Sequence, residues 1–135
     1  MKDLEPLKKE IVQICKKNSV ALAYLLGSQA KNKTTLLSDI DIAVLFDKTV
    51  SPKKYSNSQV KLTNIFMGLF ETNDIDISIL NISTPLFKFN AISGKLLYAA
   101  SSKDKIHFEV AARKECFDTQ KIRSAQYKAL AARHL

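Results

Sequence analysis

The residues with the most chemistry in them lie between Gly27 and Asp41, in the run Gly-Ser-Gln-Ala-Lys-Asn-Lys-Thr-Thr-Leu-Leu-Ser-Asp-Ile-Asp. Gly27-Ser28 closes the apolar run Val20–Leu26, and after ten intervening residues the triplet Asp39-Ile40-Asp41 opens a second apolar run, Ile42–Phe46. Alternate side chains of a strand share a face, so Asp39 and Asp41 point one way while Ile40, Ile42 and Val44 point the other. Two carboxylates about 7 Å apart on one strand face can hold a hard divalent cation that neither would hold well alone. Mg²⁺ takes oxygen ligands and is commonly bound by one or two carboxylates together with substrate phosphates. Gly-Ser at the end of the neighbouring strand, ahead of a helix start, suits those phosphates. Glycine lets the backbone approach, and a helix N-terminus offers free N–H groups. Either motif alone is an ordinary loop or solvated strand end. Together, at this spacing, they read as nucleotide–metal chemistry.

A third carboxylate comes from Asn73-Asp74-Ile75-Asp76-Ile77-Ser78-Ile79-Leu80, where Ile75, Ile77 and Ile79 alternate with Asp76, Ser78 and Leu80. That is the period-two signature of a strand. Asp76 falls on the non-isoleucine face near the strand start, where it can join Asp39 and Asp41 if the two strands pair. Asp74 shares its parity and competes for the role, but beside Asn73 it suits a turn or the start of the strand.

Gly27-Ser28, Asp39-Ile40-Asp41 and a following strand bearing Asp76 together resemble the polymerase-β-type nucleotidyltransferase superfamily, and within it the minimal nucleotidyltransferase (MNT) branch. The resemblance runs from Val20 to about Ala100, through Ile79-Leu80-Asn81, Pro85-Leu86 and Gly94-Lys95-Leu96-Leu97-Tyr98. It implies that Gly27 and Ser28 contact a nucleoside triphosphate, with Lys31 beside them. It also implies that Asp39 and Asp41 bind two Mg²⁺ ions and that Asp76 completes one metal site. Many members carry Ala-Arg-Gly after Gly-Ser-x, where this chain has Ala30-Lys31-Asn32. Lys31 keeps the charge but loses the forked donor geometry of arginine.

The chemistry so implied is transfer of AMP from ATP to a hydroxyl, achieved by positioning and by neutralising phosphate charge. Asp76 is the group placed to take the acceptor proton, directly or through water. Members of this small size resemble the antitoxins of HEPN-type RNase toxins, which attach AMP to a toxin tyrosine and bind the toxin. The expected partner is therefore a cognate HEPN-type toxin in a hetero-oligomer. Two alternatives stand beside it: a small-molecule (aminoglycoside-type) nucleotidyltransferase, and an antitoxin that works by binding alone. The first usually needs a second domain; the second has no use for three mutually repelling carboxylates.

The global numbers agree with a small soluble enzyme or adaptor. The chain has 135 residues, 46% hydrophobic and 25% charged, the size and make-up of one domain with its own core. We expect a single unit over 1–135, with a core over about 1–100 and a helical region over about 101–135. No apolar run approaches a membrane span and the first residues are not a signal peptide, so a cytoplasmic protein is expected. Cys15 and Cys116, His107 and His134 lack metal-ligand spacing, and the thiols are expected to be reduced and packed. The net charge of +8 is scattered in short lysine clusters and favours an anionic partner. Without aromatic interleaving or an arginine stripe, nucleic acid is not the expected one.

The elements that must position the carboxylates follow from periodicity. Leu4, Leu7, Ile11, Ile14 and Cys15 have helical spacing behind Pro6, which a first turn tolerates. Val20–Leu26 reads as a buried strand, Ser28–Lys33 as a short helix and Thr34–Ser38 as the loop that delivers the aspartates. The strand Ile40–Phe46 is followed by a helix from Ser51-Pro52 to about Phe70, with Val60, Leu62, Ile65, Phe66 and Leu69 inward. The strand Ile75–Leu80 precedes a helix that starts at Thr84-Pro85 and that Gly94 is expected to end as a C-terminal glycine. Leu96–Ala99 adds a short strand. The remainder, Lys103–Leu135, is helical, with a break expected near Asp118-Thr119, and is longer than a sheet-covering helix requires. Strands alternating with helices predict an α/β fold with a small mixed sheet flanked by helices.

Overall fold

The computed structural model describes residues 4–26 and 40–133. Four strands, β1 (Val20–Leu25), β2 (Ile40–Phe46), β3 (Ile75–Ile79) and β4 (Lys95–Ala99), form one sheet in the order β3-β2-β1-β4. β1 runs antiparallel to β2 and β4, while β2 and β3 are parallel. A parallel pair needs a crossover, and α2 (Tyr55–Phe70) supplies it. The short helical turn Glu5–Leu7 leads into α1 (Lys8–Lys17). α3 (Pro85–Ile92) lies between β3 and β4, and α4 (Ser102–Arg133) ends the fold.

β1 is buried along its whole length because helices cover both faces of the sheet. One face carries Ile40, Ile42, Val44, Phe46, Ile77 and Ile79 against Ile11 and Cys15 of α1 and Leu62, Phe66 and Phe70 of α2. The other carries Leu22, Tyr24 and Ala43 against Ala91 of α3, with Phe87 and Phe108 closing it. The alternation expected of β2 and β3 is therefore present, and their isoleucines fill the first face.

Three local expectations change. Val60 does not face inward; it is 61% exposed. The inner row of α2 is Leu62, Phe66 and Phe70 at i, i+4 steps, which turns Val60 to the opposite side. Gln59 faces the sheet instead, its side-chain Nε2 donating to the Ile77 carbonyl at 2.6 Å. Gly94 is not a left-handed cap, since α3 closes on Ser93 in a right-handed conformation and no described glycine has positive φ. Its lack of a side chain serves close approach: a Cβ there would sit 2.3 Å from the Leu25 carbonyl oxygen. Finally, α4 runs unbroken through Asp118-Thr119 for 32 residues. No glycine or proline follows Gly94, and the Thr119 hydroxyl bonds back to the Glu115 carbonyl at 2.8 Å within the helix. The start of α3 is as expected, with Thr84 accepting from the Phe87 N–H at 3.2 Å. Both cysteines are free and buried. No helix among the described residues is long and apolar enough to cross a membrane.

Candidate functional site

The site is built at the head of the parallel pair. β2 and β3 register Ile40 with Ile75, Asp41 with Asp76 and Ile42 with Ile77. Registered residues of parallel neighbours project to the same side, so the isoleucines enter the first core while Asp41 and Asp76 stand together on the α3/α4 face. The strands are about 4.8 Å apart, which sets the carboxylates closer across the ladder than two alternate residues lie along a strand. Asp41 is half-buried and Asp76 exposed, so the pair opens to solvent on the β3 side, where the sheet has its edge.

The last described residue before the Gly-Ser motif is tied to the same point. Leu26 donates its N–H to the Asp41 carbonyl at 2.9 Å, extending the β1–β2 ladder by one step. The chain therefore leaves β1 toward Gly27 beside Asp41. Gly27, Ser28, Lys31 and Asp39 lie outside the described residues, as do the expected helix Ser28–Lys33 and loop Thr34–Ser38. Asp74 precedes β3: its carbonyl accepts the Ile40 N–H at 3.2 Å and its own N–H bonds the Thr72 hydroxyl at 3.1 Å. Its backbone thus joins the sheet as the step before the strand. Among the described residues no three His, Cys, Asp or Glu side chains form a metal-sized cluster. Asp41 and Asp76 form a pair of hard oxygen donors on adjacent strands, and that donor chemistry fits a divalent cation with phosphate oxygens completing the shell.

The far end of β2 is held by Asn81, whose side chain accepts from the Phe46 N–H at 2.8 Å and donates to the Phe46 carbonyl at 3.0 Å. An amide side chain thus imitates one more rung of sheet, and β2 is fixed at both ends.

Beneath the carboxylates lies a polar cluster that no sequence pattern announced. Tyr24, 1% exposed, sits on β1 opposite Ala43, two residues from Asp41 on the same face. Its hydroxyl donates to Glu109 of α4 at 2.8 Å, and Glu109 also meets Lys105 at 3.5 Å and Arg113 at 3.6 Å. Burial first, and then the accepting Glu109 carboxylate, push the phenol of Tyr24 well above its usual range. Tyr24 therefore stays neutral and acts as a fixed donor that ties α4 to the strand leading into Gly27. Tyr24 and Glu109 are 85 residues apart, so only the folded chain brings them together.

A small mixed sheet with helices on both faces, a parallel β2–β3 pair headed by carboxylates, and a β1 end delivered beside them is the architecture of a nucleotidyltransferase. The chain belongs to the polymerase beta nucleotidyltransferase family, whose model matches residues 9–103. No curated protein matches the chain in sequence. Among solved structures it is similar to a chain of the tri-AMPylated Shewanella oneidensis HEPN toxin in complex with MNT antitoxin, at 20% identity and TM-score 0.69, covering 96% of this chain and 99% of that one. It is similar also to a chain of a toxin–antitoxin with AMP-PNP, at 22% identity and TM-score 0.68, covering 92% of this chain and 98% of that one. A mutant of the toxin–antitoxin MntA-HpeT matches at 21% identity and TM-score 0.69, with coverage of 92% and 98%. At these identities the likeness concerns the fold, over nearly the full length of both chains.

Proposed function

We propose that the chain is a cytoplasmic nucleotidyltransferase antitoxin that moves AMP from ATP onto a hydroxyl, a tyrosine side chain, of a cognate HEPN-type RNase toxin and so neutralises it. The observation that carries this is the registered Asp41–Asp76 pair at the head of β2 and β3 in a chain of this family. Full-length similarity to chains from HEPN toxin–antitoxin complexes supports the choice of acceptor.

In this reading Gly27 and Ser28 hold the triphosphate through backbone and hydroxyl donors, and Lys31 adds a cation beside them. Asp39, Asp41 and Asp76 would hold two Mg²⁺ ions, which neutralise the phosphate charge that builds up during transfer. The acceptor oxygen bonds to the α-phosphorus as the α–β anhydride bond breaks, and pyrophosphate leaves. Asp76, the more exposed carboxylate, faces the side from which an acceptor arrives and takes the hydroxyl proton directly or through water.

The test is a transfer assay with Mg²⁺, α-labelled ATP and the HEPN-type protein encoded beside this chain, read by intact mass spectrometry. Mass gains in AMP units on the partner, lost in Asp41→Asn and in Asp76→Asn, are expected. A complex formed without any gain would show an antitoxin that works by binding, and AMP found on an aminoglycoside instead would show the small-molecule enzyme.

A further inference from the structure

α4 is far longer than the sheet it covers. β4 ends at Ala99, opposite Leu22, which is the end of the sheet remote from the carboxylates. From there α4 climbs toward them: the Tyr24–Glu109 hydrogen bond sets its eighth residue level with Tyr24, which pairs with Ala43. Only about 7 Å of strand separates that level from Asp41. The 24 residues that follow Glu109, to Arg133, amount to about 36 Å of helix. Ala112 and Cys116 are the last described residues of α4 to be buried. From Gln120 onward every residue with a described side chain is exposed. The helix therefore overshoots the part of the molecule it packs on.

The composition of this overshoot is one-sided. After Asp118 there is no acidic residue, while Lys121, Arg123, Lys128 and Arg133 are all basic. Val110 and Phe117, 57% and 56% exposed, continue at helical steps into Gln120, Ser124 and Lys128, which line a shallow groove with Phe117. An exposed apolar face that continues beyond Asp118 into a stretch whose only charges are basic complements a surface of opposite pattern. A second copy of this chain would bring basic arm against basic arm. A nucleic acid would satisfy the charges and leave the Val110–Phe117 face without an apolar counterpart.

We infer that α4 from Val110 onward is a docking arm that grips the protein acceptor beside the active site, its apolar face seated on an acceptor helix or groove flanked by Asp and Glu side chains. This rests on the proposed acceptor being a protein of the HEPN type. The arm supplies a wall for the acceptor beside the sheet-built site, and it selects the acceptor by charge before any hydroxyl reaches the carboxylates.

The decisive variants are Arg123→Glu with Lys128→Glu, and separately Val110→Asp. All three positions are exposed, and an unchanged melting curve verifies that the variants fold. Affinity for the HEPN-type partner is measured at 50 and 300 mM salt, beside transfer of AMP to it and the thermal shift produced by Mg²⁺–ATP on the chain alone. The double reversal should weaken partner binding at least tenfold at low salt, remove most of its salt dependence and slow transfer in parallel, with the Mg²⁺–ATP shift unchanged. Val110→Asp should weaken binding at both salt concentrations. Unchanged partner affinity in both variants overturns the arm and leaves the proposed function standing, because wild-type transfer is read in the same assay. Wild-type chain that neither binds nor modifies the partner overturns both. Arm-dependent binding of a labelled single-stranded RNA, or an arm-dependent dimer of this chain in sedimentation, with partner affinity unaffected, also overturns the arm.

Discussion

Replacing Asp76 with asparagine should remove activity and at the same time make the metal-free protein more stable. Asp41 and Asp76 stand in register on strands about 4.8 Å apart. At the dielectric of water, two unit charges at that separation repel by about 0.9 kcal/mol. A Debye length of about 8–10 Å at moderate salt trims this to roughly 0.5 kcal/mol, and the half-buried position of Asp41 pushes it back toward about 1 kcal/mol. Asn keeps the shape and removes one charge, so the gain should appear as a rise of roughly 2–4 °C in melting temperature for a chain of this size. Added Mg²⁺ then inverts the ranking. A cation at a hundred times its dissociation constant stabilises the wild type by about 2.7 kcal/mol, and Asp76→Asn should capture much less of that. The assay is thermal melting of both proteins in chelator and across a Mg²⁺ titration, beside AMP transfer. A variant less stable than wild type in chelator, or one that retains the full Mg²⁺ response, would refute the reading of the registered pair as a cation site.

Three further outcomes are expected. Gly94→Ala should destabilise by about 2 kcal/mol or more, because its Cβ would meet the Leu25 carbonyl at 2.3 Å and backbone cannot step aside cheaply. Gly68→Ala, exposed in the last turn of α2 with nothing within 4 Å of the new carbon, should stabilise by about 0.5 kcal/mol; chemical denaturation of the two variants side by side checks the contrast. Tyr24→Phe should cost about 1.5–3 kcal/mol, the worth of a hydrogen bond to a charged group, and Glu109→Gln should lose less because the phenol keeps an acceptor. Burial pushes the Cys15 thiol from 9.0 up to about 12. The folded state then keeps a proton that the unfolded chain has released. Its stabilising contribution is whole below pH 9 and is lost as pH rises toward 12, at about 1.4 kcal/mol per pH unit. Urea unfolding from pH 8 to 10.5 should show this slope, and Cys15→Ala should flatten it.

By itself the sequence determined whatever depends on near neighbours along the chain. The isoleucines of β2 and β3 at every second position specify which face enters the core and which carries Asp41 and Asp76, since side-chain direction in a strand follows from parity alone. Thr84 and Ser51 mark helix starts because a cap is a contact between residues three or fewer apart. The Gly-Ser and Asp-x-Asp spacing is a local pattern that points to the family by itself. What only the tertiary structure decided is where separately specified faces meet. That Asp76 lies level with Asp41 is a matter of strand register, set by how α2 delivers β3 to the sheet. The phase of α2 is settled by what the sheet accepts, which is why Gln59 and not Val60 faces inward. Gly94 looks in sequence like a helix terminator, but its reason is the Leu25 carbonyl 69 residues earlier in the chain. Tyr24 and Glu109 carry no local sign of each other, because a hydrogen bond across 85 residues exists only once the helix lies on the sheet. The length of α4 was in the composition, but how much of it packs on the fold depends on where β4 ends and where Glu109 docks.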